Sequence, residues 1–204
     1  MQSLLVGVQL CDYQEPQALA GFCKCLLFFQ RAYPEILVTV MESHREKEYF
    51  AGIRFLLTAK QGNYDLFFMT SGDIVLKPLT LIRLYERDMP IISGMIVESR
   101  GQHRPFLFKR AGVGQYEYKE ADSEGELINR ENPGSGCLLI RKEVFNQLPS
   151  GAFSSYKGIR AGDSSFFERV HEVGYRVFID PKVRVGHIGH DKTVYWPKTC
   201  NYMK

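Results

Sequence analysis

Short apolar runs alternate with longer segments of helical hydrophobic spacing along the first half of the chain. Four of the apolar runs predict buried strands, at residues 4–10, 36–42, 66–69 and 90–97. The intervening segments predict helices, at residues 16–31, 50–60 and 78–87. Strands and helices that alternate in this way are typical of a largely parallel, Rossmann-like sheet.

The second half of the chain departs from this alternation. The segments FLFKR and QYEYKE carry aromatic and charged residues in turn, which predicts antiparallel strands at a sheet edge. Further on, the pattern predicts a strand in CLLIRKE, a short helix over residues 144–148, an amphipathic helix in AGDSSFFERVHEVGY, and two strands in RVFID and VRV. The chain ends in a polar and aromatic tail.

Composition narrows the class of protein. A chain of 204 residues suits one domain, and the formal net charge of +3 is too small and too dispersed to indicate a nucleic-acid partner. No run of about 18 apolar residues occurs, so no membrane span is expected. The first ten residues lack a basic region and predict a strand instead of a signal peptide. The five cysteines form no CxxC pair, which favours reduced thiols and a cytoplasmic location.

The first candidate for chemistry is Asp73, which follows the apolar run at residues 66–69. A buried strand that ends in a carboxylate places that carboxylate at the C-terminal edge of the sheet, where open α/β sheets bind ligands. A carboxylate there can hold a hard divalent cation, and the cation can hold phosphate. The alternative interpretation is structural, because Asp is also common as a helix cap and as a turn residue.

Five fragments in order resemble the glycosyltransferases of the GT-A fold, close to the family 2-like group. The fragments are IRF, YDLFFMTSGDIVLKP, PIISG, GSGCLLIRKEVF and GDSSFFERVHEVGYRVFIDPKVRVGHIG. The resemblance covers about residues 4–190. It implies an α/β fold with one GT-A domain, a Rossmann-like mixed sheet flanked by helices. In that domain residues 1–97 bind the nucleotide sugar, residues 98–190 bind the acceptor, and residues 191–204 form a tail.

The sequence departs from the family pattern at three positions. Where the family has its DxD motif this chain has Ser71, Gly72 and Asp73, so the first carboxylate is missing. Gly162 stands in the place of the glutamate that precedes Asp163, and Phe55 takes the place of an asparagine. One acidic residue is kept at each of the two acidic motifs.

The resemblance implies a nucleotide-diphosphate sugar as donor, with Mn²⁺ or Mg²⁺ bridging its phosphates. Asp73 and His187 are the implied metal ligands, although His187 is also consistent with an ordinary loop histidine. The implied donor-binding residues at the ends of the first two strands are Gln9, Asp12 and Glu42. Arg54 matches an arginine that the family has near the donor, and Ser71 and Asp73 belong to the DxD-like motif. Each of these also fits an ordinary polar position.

For the acceptor, the resemblance implies a pocket lined by Gly134, Ser135 and Gly136, which otherwise form a simple turn. Asp163 is the candidate general base of an inverting reaction, or an acceptor-binding group if the reaction retains the anomeric configuration. Its structural alternative is a helix N-cap. The acceptor itself is a glycan, a protein or a small molecule, and the sequence does not distinguish among these.

Two other functions are compatible with the sequence. Residues His187 to His190 spell HIGH, a nucleotide-binding motif of some nucleotidyltransferases, but only 14 residues follow His190 and a full domain is expected there. The missing carboxylates also suit a binding or scaffold protein of the same fold that has lost catalysis.

Overall fold

The computed structural model describes residues 1–10, 15–44, 46–99, 103–119 and 126–197. The strands in these residues are β1 (Ser3–Leu10), β2 (Leu37–His44), β3 (Leu66–Ser71), β4 (Ile74–Val75), β5 (Ile91–Met95), β6 (Phe108–Gly112), β7 (Gln115–Tyr118), β8 (Ile128–Asn129), β9 (Cys137–Arg141), β10 (Phe178–Arg184), β11 (Gly186–Ile188) and β12 (Val194–Tyr195). The helices are α1 (Pro16–Ala32), α2 (Glu48–Gln61), α3 (Thr80–Glu86), α4 (Lys142–Gln147) and α5 (Asp163–Glu172).

A seven-stranded sheet in the order β2-β1-β3-β9-β5-β10-β8 runs through the centre of the molecule. Strand β1 is parallel to β2 and β3, and β10 is parallel to β5. Strand β9 lies antiparallel between β3 and β5, and β8 is antiparallel to β10. The predicted mixed, Rossmann-like sheet flanked by helices is therefore confirmed.

Helices cover both faces of this sheet, because alternate side chains of its central strands point to opposite sides. Leu4 of β1 packs in one buried cluster with Phe22 and Phe29 of α1, and Leu5 packs in a second cluster with Phe55 of α2. The first five residues of β3 are buried, as the continuous apolar run predicts.

Residues 36–42 are expected from the sequence to form a buried strand, and the part of this prediction that concerns burial is wrong. The segment does form β2, but β2 is the edge strand of the sheet, and of its residues only Ser43 is fully buried. Leu37 and Val40 are 58% and 43% exposed. An apolar β-branched run indicates a strand, but its composition does not show whether a neighbouring strand covers it.

Two further strand predictions need correction. The segments FLFKR and QYEYKE supply β6 and β7, which pair with each other in a separate two-stranded sheet and do not extend the edge of the main one. The sequence pattern predicts two strands in RVFID and VRV, whereas the structure has one strand, β10, which runs from Phe178 to Arg184 with a register shift against β5.

A small antiparallel sheet in the order β12-β11-β4 connects the C-terminal part of the chain to the turn after β3. In the register of β11 and β4, His187 pairs with Ile74. The backbone N–H of Ile188 donates to the carbonyl oxygen of Asp73, at 2.9 Å. This sheet therefore brings together two candidate residues that lie 114 positions apart in the sequence. Among the described residues, no helix is long and apolar enough to cross a membrane.

Candidate functional site

A cleft of about 270 Å³ opens where β1 and β3 end at the C-terminal edge of the sheet. The cleft is lined by the ends of strands β1 and β3, the loop before β9, the first residue of α5, and strands β4 and β11 of the small sheet. The lining residues are Gln9, Met69, Thr70, Ser71, Asp73, Ile74, Ile96, Phe106, Gly134, Ser135, Gly136, Asp163 and His187. Residues from the predicted metal, donor, acceptor and catalytic groups thus share one cavity.

Asp73 and His187 contact each other in the cleft. The Oδ2 atom of Asp73 lies 3.3 Å from Nε2 of His187, and the hydroxyl of Ser71 donates a short hydrogen bond to Oδ1. Burial opposes ionisation of Asp73, but the hydrogen bonds from His187 and Ser71 outweigh it and hold the pKa of the carboxyl below its usual value. Burial likewise opposes protonation of His187, but Asp73 outweighs it and raises the pKa of the imidazole.

The ring of His187 has a fixed orientation. Its Nδ1 atom lies 2.7 Å from the carbonyl oxygen of Val97, and since a carbonyl oxygen only accepts, Nδ1 carries the proton. Nε2 then faces Asp73. A backbone carbonyl that fixes the outer nitrogen in this way is the usual support of a metal-binding histidine.

The pair fits a divalent cation. Two neighbouring donors in an octahedral shell with ligand distances of about 2.1 Å lie roughly 3 Å apart, close to the separation of Oδ2 and Nε2. No group of three or more His, Cys, Asp or Glu side chains within the described residues is arranged to hold a metal. An ion at this site would therefore take two ligands from the protein and the remaining ones from phosphate or water.

Asp163 faces the cleft as the first residue of α5 and does not cap the helix. The N-cap position belongs to Gly162, which has φ 129°, and no side chain caps the helix there. Instead, Oδ2 of Asp163 accepts a hydrogen bond from the backbone N–H of Ser135, at 3.0 Å. The other oxygen, Oδ1, is buried and has no hydrogen-bond partner among the described residues. This atom can accept a proton or a hydrogen bond from a ligand.

The glycine-containing loop before β9 is tied to α5 on one side and packs against the core on the other. The side chain of Asn132 accepts from the N–H of Gly134 and donates to the hydroxyl of Ser164. Gly134 has φ 75°, a conformation that favours glycine, and a Cβ atom at Gly136 would lie 3.1 Å from the side chain of Ile74. The loop thus presents backbone groups to the cleft, as the acceptor prediction requires.

Two of the predicted donor residues, Glu42 and Arg54, do not line this cleft. Glu42 is exposed on the edge strand, and Arg54 donates to the backbone carbonyl of Glu42 at 3.1 Å and pairs with Glu46. Glu42 still lies close to this edge of the sheet, because in the register of β1 and β2 it is level with Val8, the residue before Gln9. Asp12 lies outside the described residues.

Sequence reasoning missed Thr70 and Phe106. The hydroxyl of Thr70 is buried at the end of β3 and has no partner among the described residues. The ring of Phe106 lies near Gly134, about 3.8 Å from where a Cβ atom would be. The sequence could have indicated Thr70, because it directly precedes Ser71. It could not have indicated Phe106, which reaches the cleft only because the segment before β6 folds against it.

The sequence matches no protein-family model and no curated protein. Its structure resembles A197 from STIV with a TM-score of 0.59 at 12% identity, over 100% of this chain and 98% of that one. It also resembles UDP-glucose pyrophosphorylase complexed with UDP-glucose, with a TM-score of 0.50 at 9% identity over 89% and 90% of the two chains. The inositol-1-phosphate CTP transferase from T. maritima is similar at a TM-score of 0.46 and 13% identity, over 98% and 89%. At these identities the likeness shows the fold alone.

Proposed function

We propose that the protein is a glycosyltransferase that moves a sugar from a nucleotide-diphosphate sugar to an acceptor hydroxyl with the help of a divalent cation. The observation that carries the proposal is the convergence of Asp73, His187 and Asp163 on one cleft. These residues come from three distant parts of the chain, and each presents a different chemical capacity to the same cavity.

The first capacity is phosphate binding through a cation. Mn²⁺ or Mg²⁺ held by Asp73 and His187 would stabilise the charge that develops on the departing diphosphate. Ser71 occupies the place of the missing first carboxylate and holds Asp73 by a hydrogen bond, so one charged ligand is replaced by a positioning contact. We expect weaker metal affinity than a site with two carboxylates would have, because ligand charge contributes to affinity.

The second capacity is proton acceptance by Asp163. Its Oδ1 lacks a partner among the described residues, and an acceptor hydroxyl placed in the cleft would supply one. The bond from Ser135 to Oδ2 holds the carboxylate in place. In an inverting reaction Asp163 would take the proton from that hydroxyl as the new glycosidic bond forms. In a retaining reaction the same atom would bind the acceptor.

The test is a panel of nucleotide-diphosphate sugars incubated with the protein and Mn²⁺, with release of nucleoside diphosphate as the measurement. Release that depends on Asp73 and on Mn²⁺ would support the proposal, because donor hydrolysis needs no identified acceptor. Tight donor binding without any release in the whole panel would instead favour a catalytically inactive binding protein.

A nucleotidyltransferase is the second candidate, and the likeness to UDP-glucose pyrophosphorylase favours it. Such an enzyme would join a nucleoside triphosphate to a sugar phosphate and release pyrophosphate. The HIGH tetrapeptide does not support a nucleotidyltransferase. Its first residue, His187, lies on strand β11 and contacts Asp73, and no helix follows the tetrapeptide in the described residues. Pyrophosphate release from a triphosphate and a sugar 1-phosphate, without turnover of nucleotide-diphosphate sugars, would decide for this candidate.

A further inference from the structure

A second cavity, of about 360 Å³, lies between α1, the start of α3 with the segment before it, and β10, and it shares no lining residue with the cleft. It combines exposed apolar groups with cations. Six of its residues define what we call the basic apolar patch: Phe28, Lys77, Leu79, Arg83, Lys182 and Arg184.

The apolar part of the patch is exposed to solvent. Phe28 and Leu79 are each 41% exposed, and Leu27, which precedes Phe28 on α1, is 49% exposed. Trp196 is 40% exposed and lies next to the patch, since the ammonium of Lys77 sits 4.9 Å from the centre of its ring. Large apolar side chains that share an exposed region indicate a binding surface more often than isolated ones do.

The charge of the patch is positive throughout. None of its four cations forms an ion pair with an acidic residue in the described part of the chain. Arg83 and Arg184 each donate to a backbone carbonyl of β10, of Lys182 and of Pro181 respectively, which orients both guanidinium groups.

The helix beside the patch continues the same pattern. Helix α1 contains no acidic residue in 17 positions. Helical spacing places Lys24 and Arg31, four residues before and three after Phe28, on the same side of α1. Three acidic side chains near the patch or its helix are engaged elsewhere: Glu15 pairs with Lys192, Glu86 accepts from Tyr33, and Asp180 pairs with Arg87.

We propose that the basic apolar patch docks the protein onto an anionic membrane surface, with its cations on the lipid phosphates and Phe28, Leu79 and Trp196 among the outer parts of the acyl chains. Lys and Arg mixed with Leu and aromatic residues is the composition of surfaces that lie in a membrane interface. Docking of this kind needs no membrane-spanning helix.

The charge pattern decides between a membrane and a protein partner. The core of a protein interface is usually depleted of charged residues, lysine among them, and its polar groups lie at the rim. Here the exposed apolar groups are mixed with cations alone, which complements a continuous layer of phosphates. The proposal is independent of the proposed glycosyl transfer, because the patch and the cleft share no residue.

The experiment is co-sedimentation of the full chain with vesicles of phosphatidylcholine alone and with vesicles that also contain phosphatidylglycerol. We expect binding only to the anionic vesicles, and a loss of binding as salt rises, because salt screens exposed charges. The double variant R83A/K182A should lower the partition coefficient about fivefold for each cation removed. Phe28→Ser should weaken binding without changing the salt dependence.

The matched control is the double variant K109A/R160A, which removes two exposed cations outside the patch. It should bind as the wild type does, and circular dichroism should show that all variants are folded. Equal loss in both double variants would overturn the proposal in favour of attraction by net charge alone. Thermal stabilisation by inorganic phosphate equal to that by vesicles would overturn it in favour of a free anion, and a patch-dependent dimer without vesicle binding would overturn it in favour of self-association.

Discussion

At the scale of single residues, the two aspartates of the cleft differ in what surrounds them. Asp73 has both oxygens engaged, by Ser71 and by His187. Asp163 has one oxygen held by a backbone N–H and one without a partner in the described residues. A carboxylate that is shared with a histidine suits a cation, whereas one with a buried oxygen that lacks a hydrogen-bond partner suits a proton acceptor. The two residues should therefore fail in different ways when they are replaced.

The first prediction contrasts Asp73→Ala with Asp163→Asn. We expect Asp73→Ala to lower both donor binding and turnover, since the cation acts on the bound donor as well as on its leaving group. Asp163→Asn should leave donor affinity nearly unchanged and lower turnover about 10²–10⁴-fold if Asp163 is the general base. The measurements are donor affinity by calorimetry and product formation under saturating donor.

The contrast has clear opposing outcomes. Equal loss of donor affinity in both variants would place Asp163 in the donor or metal site. Full activity of Asp163→Asn would leave the acceptor proton to another group, as a retaining reaction allows. Folding should survive the change, because Asn has the shape of Asp and can still accept from the N–H of Ser135.

At the scale of elements, the close approach of α1 to the segment after β4 depends on Gly21. A Cβ atom at this position would lie 2.6 Å from the carbonyl oxygen of Leu76 and 3.1 Å from its nitrogen. Both are backbone atoms, so the clash cannot be relieved by rotating a side chain. The helix and the segment after β4 would have to move apart.

The second prediction is that Gly21→Ala destabilises the protein by about 1–3 kcal/mol. The sign is informative, because the same change at an unobstructed helix position stabilises by roughly 0.5–1 kcal/mol. The measurement is the free energy of unfolding in urea. Cys23→Ala, at an exposed position two residues further along α1, is the control and should change it by less than about 0.5 kcal/mol.

The β6–β7 hairpin is joined to α5 by one buried carboxylate. Glu168 is 1% exposed and accepts from Arg110 of β6 at 2.9 Å, from the N–H of Gly114 in the turn, and from Tyr116 of β7. Burial opposes ionisation of Glu168, but the hydrogen bond from Arg110 and the two others outweigh it and hold its pKa below the usual value. Tyr116 also reaches the carbonyl of Ser164, next to Asp163.

The third prediction is that Glu168→Gln lowers stability at neutral pH by about 1–3 kcal/mol. Because the folded pKa is depressed, the wild type's advantage is complete above the unfolded pKa of about 4.3 and is lost as pH falls through the lower folded value. Urea unfolding from pH 7 down to pH 3 measures the difference. The control, Glu117→Gln, removes an exposed charge on β7 and should behave as the wild type. A difference that stays constant through this range would show that the contact does not depend on the charge.

The sequence predicted the helices and strands better than it predicted which strands pair with each other. Helical periodicity located α1 and α5, which each bury one face, a continuous apolar run located β3, and the strand-end rule placed Asp73 at the C-terminal edge of the sheet. It did not show that β2 is an edge strand or that β6 and β7 form a separate hairpin, since both depend on which strands pair over long distances. The family resemblance suggested His187 as a metal ligand. How His187 reaches Asp73 depends on the long-range pairing of β11 with β4, which only the structure shows.

At the scale of the whole molecule, the cleft is formed by segments from both halves of the chain. Gln9 and Asp73 come from the first 97 residues, and Asp163 and His187 come from the remainder. A ligand that contacts both sets binds only the folded state. Its binding energy is then added to the stability of the entire fold, and thermal unfolding reports on it without any knowledge of the acceptor.

The last prediction uses this linkage to test the cation. A nucleoside diphosphate with Mn²⁺ at about 100 times its Kd should stabilise the fold by about 2.7 kcal/mol, or roughly 5–10 °C in Tm. Excess chelator should remove most of this shift, because the diphosphate then lacks the cation, and Arg54, the predicted cationic partner, lies outside the cleft and is engaged with Glu42 and Glu46. Asp73→Ala and His187→Ala should each show the same reduced shift with and without Mn²⁺.

The matched ligand control is the nucleoside monophosphate, which keeps the base and ribose but offers a cation only one phosphate. Its shift should be smaller and should change little with chelator. If the diphosphate shift is equally large in excess chelator, the donor binds without a metal and Asp73 is a turn residue held by Ser71. If the shift needs Mn²⁺ but survives His187→Ala, the ion is held by Asp73 and the phosphates alone, and the role of His187 is to fix the carboxylate of Asp73 in place.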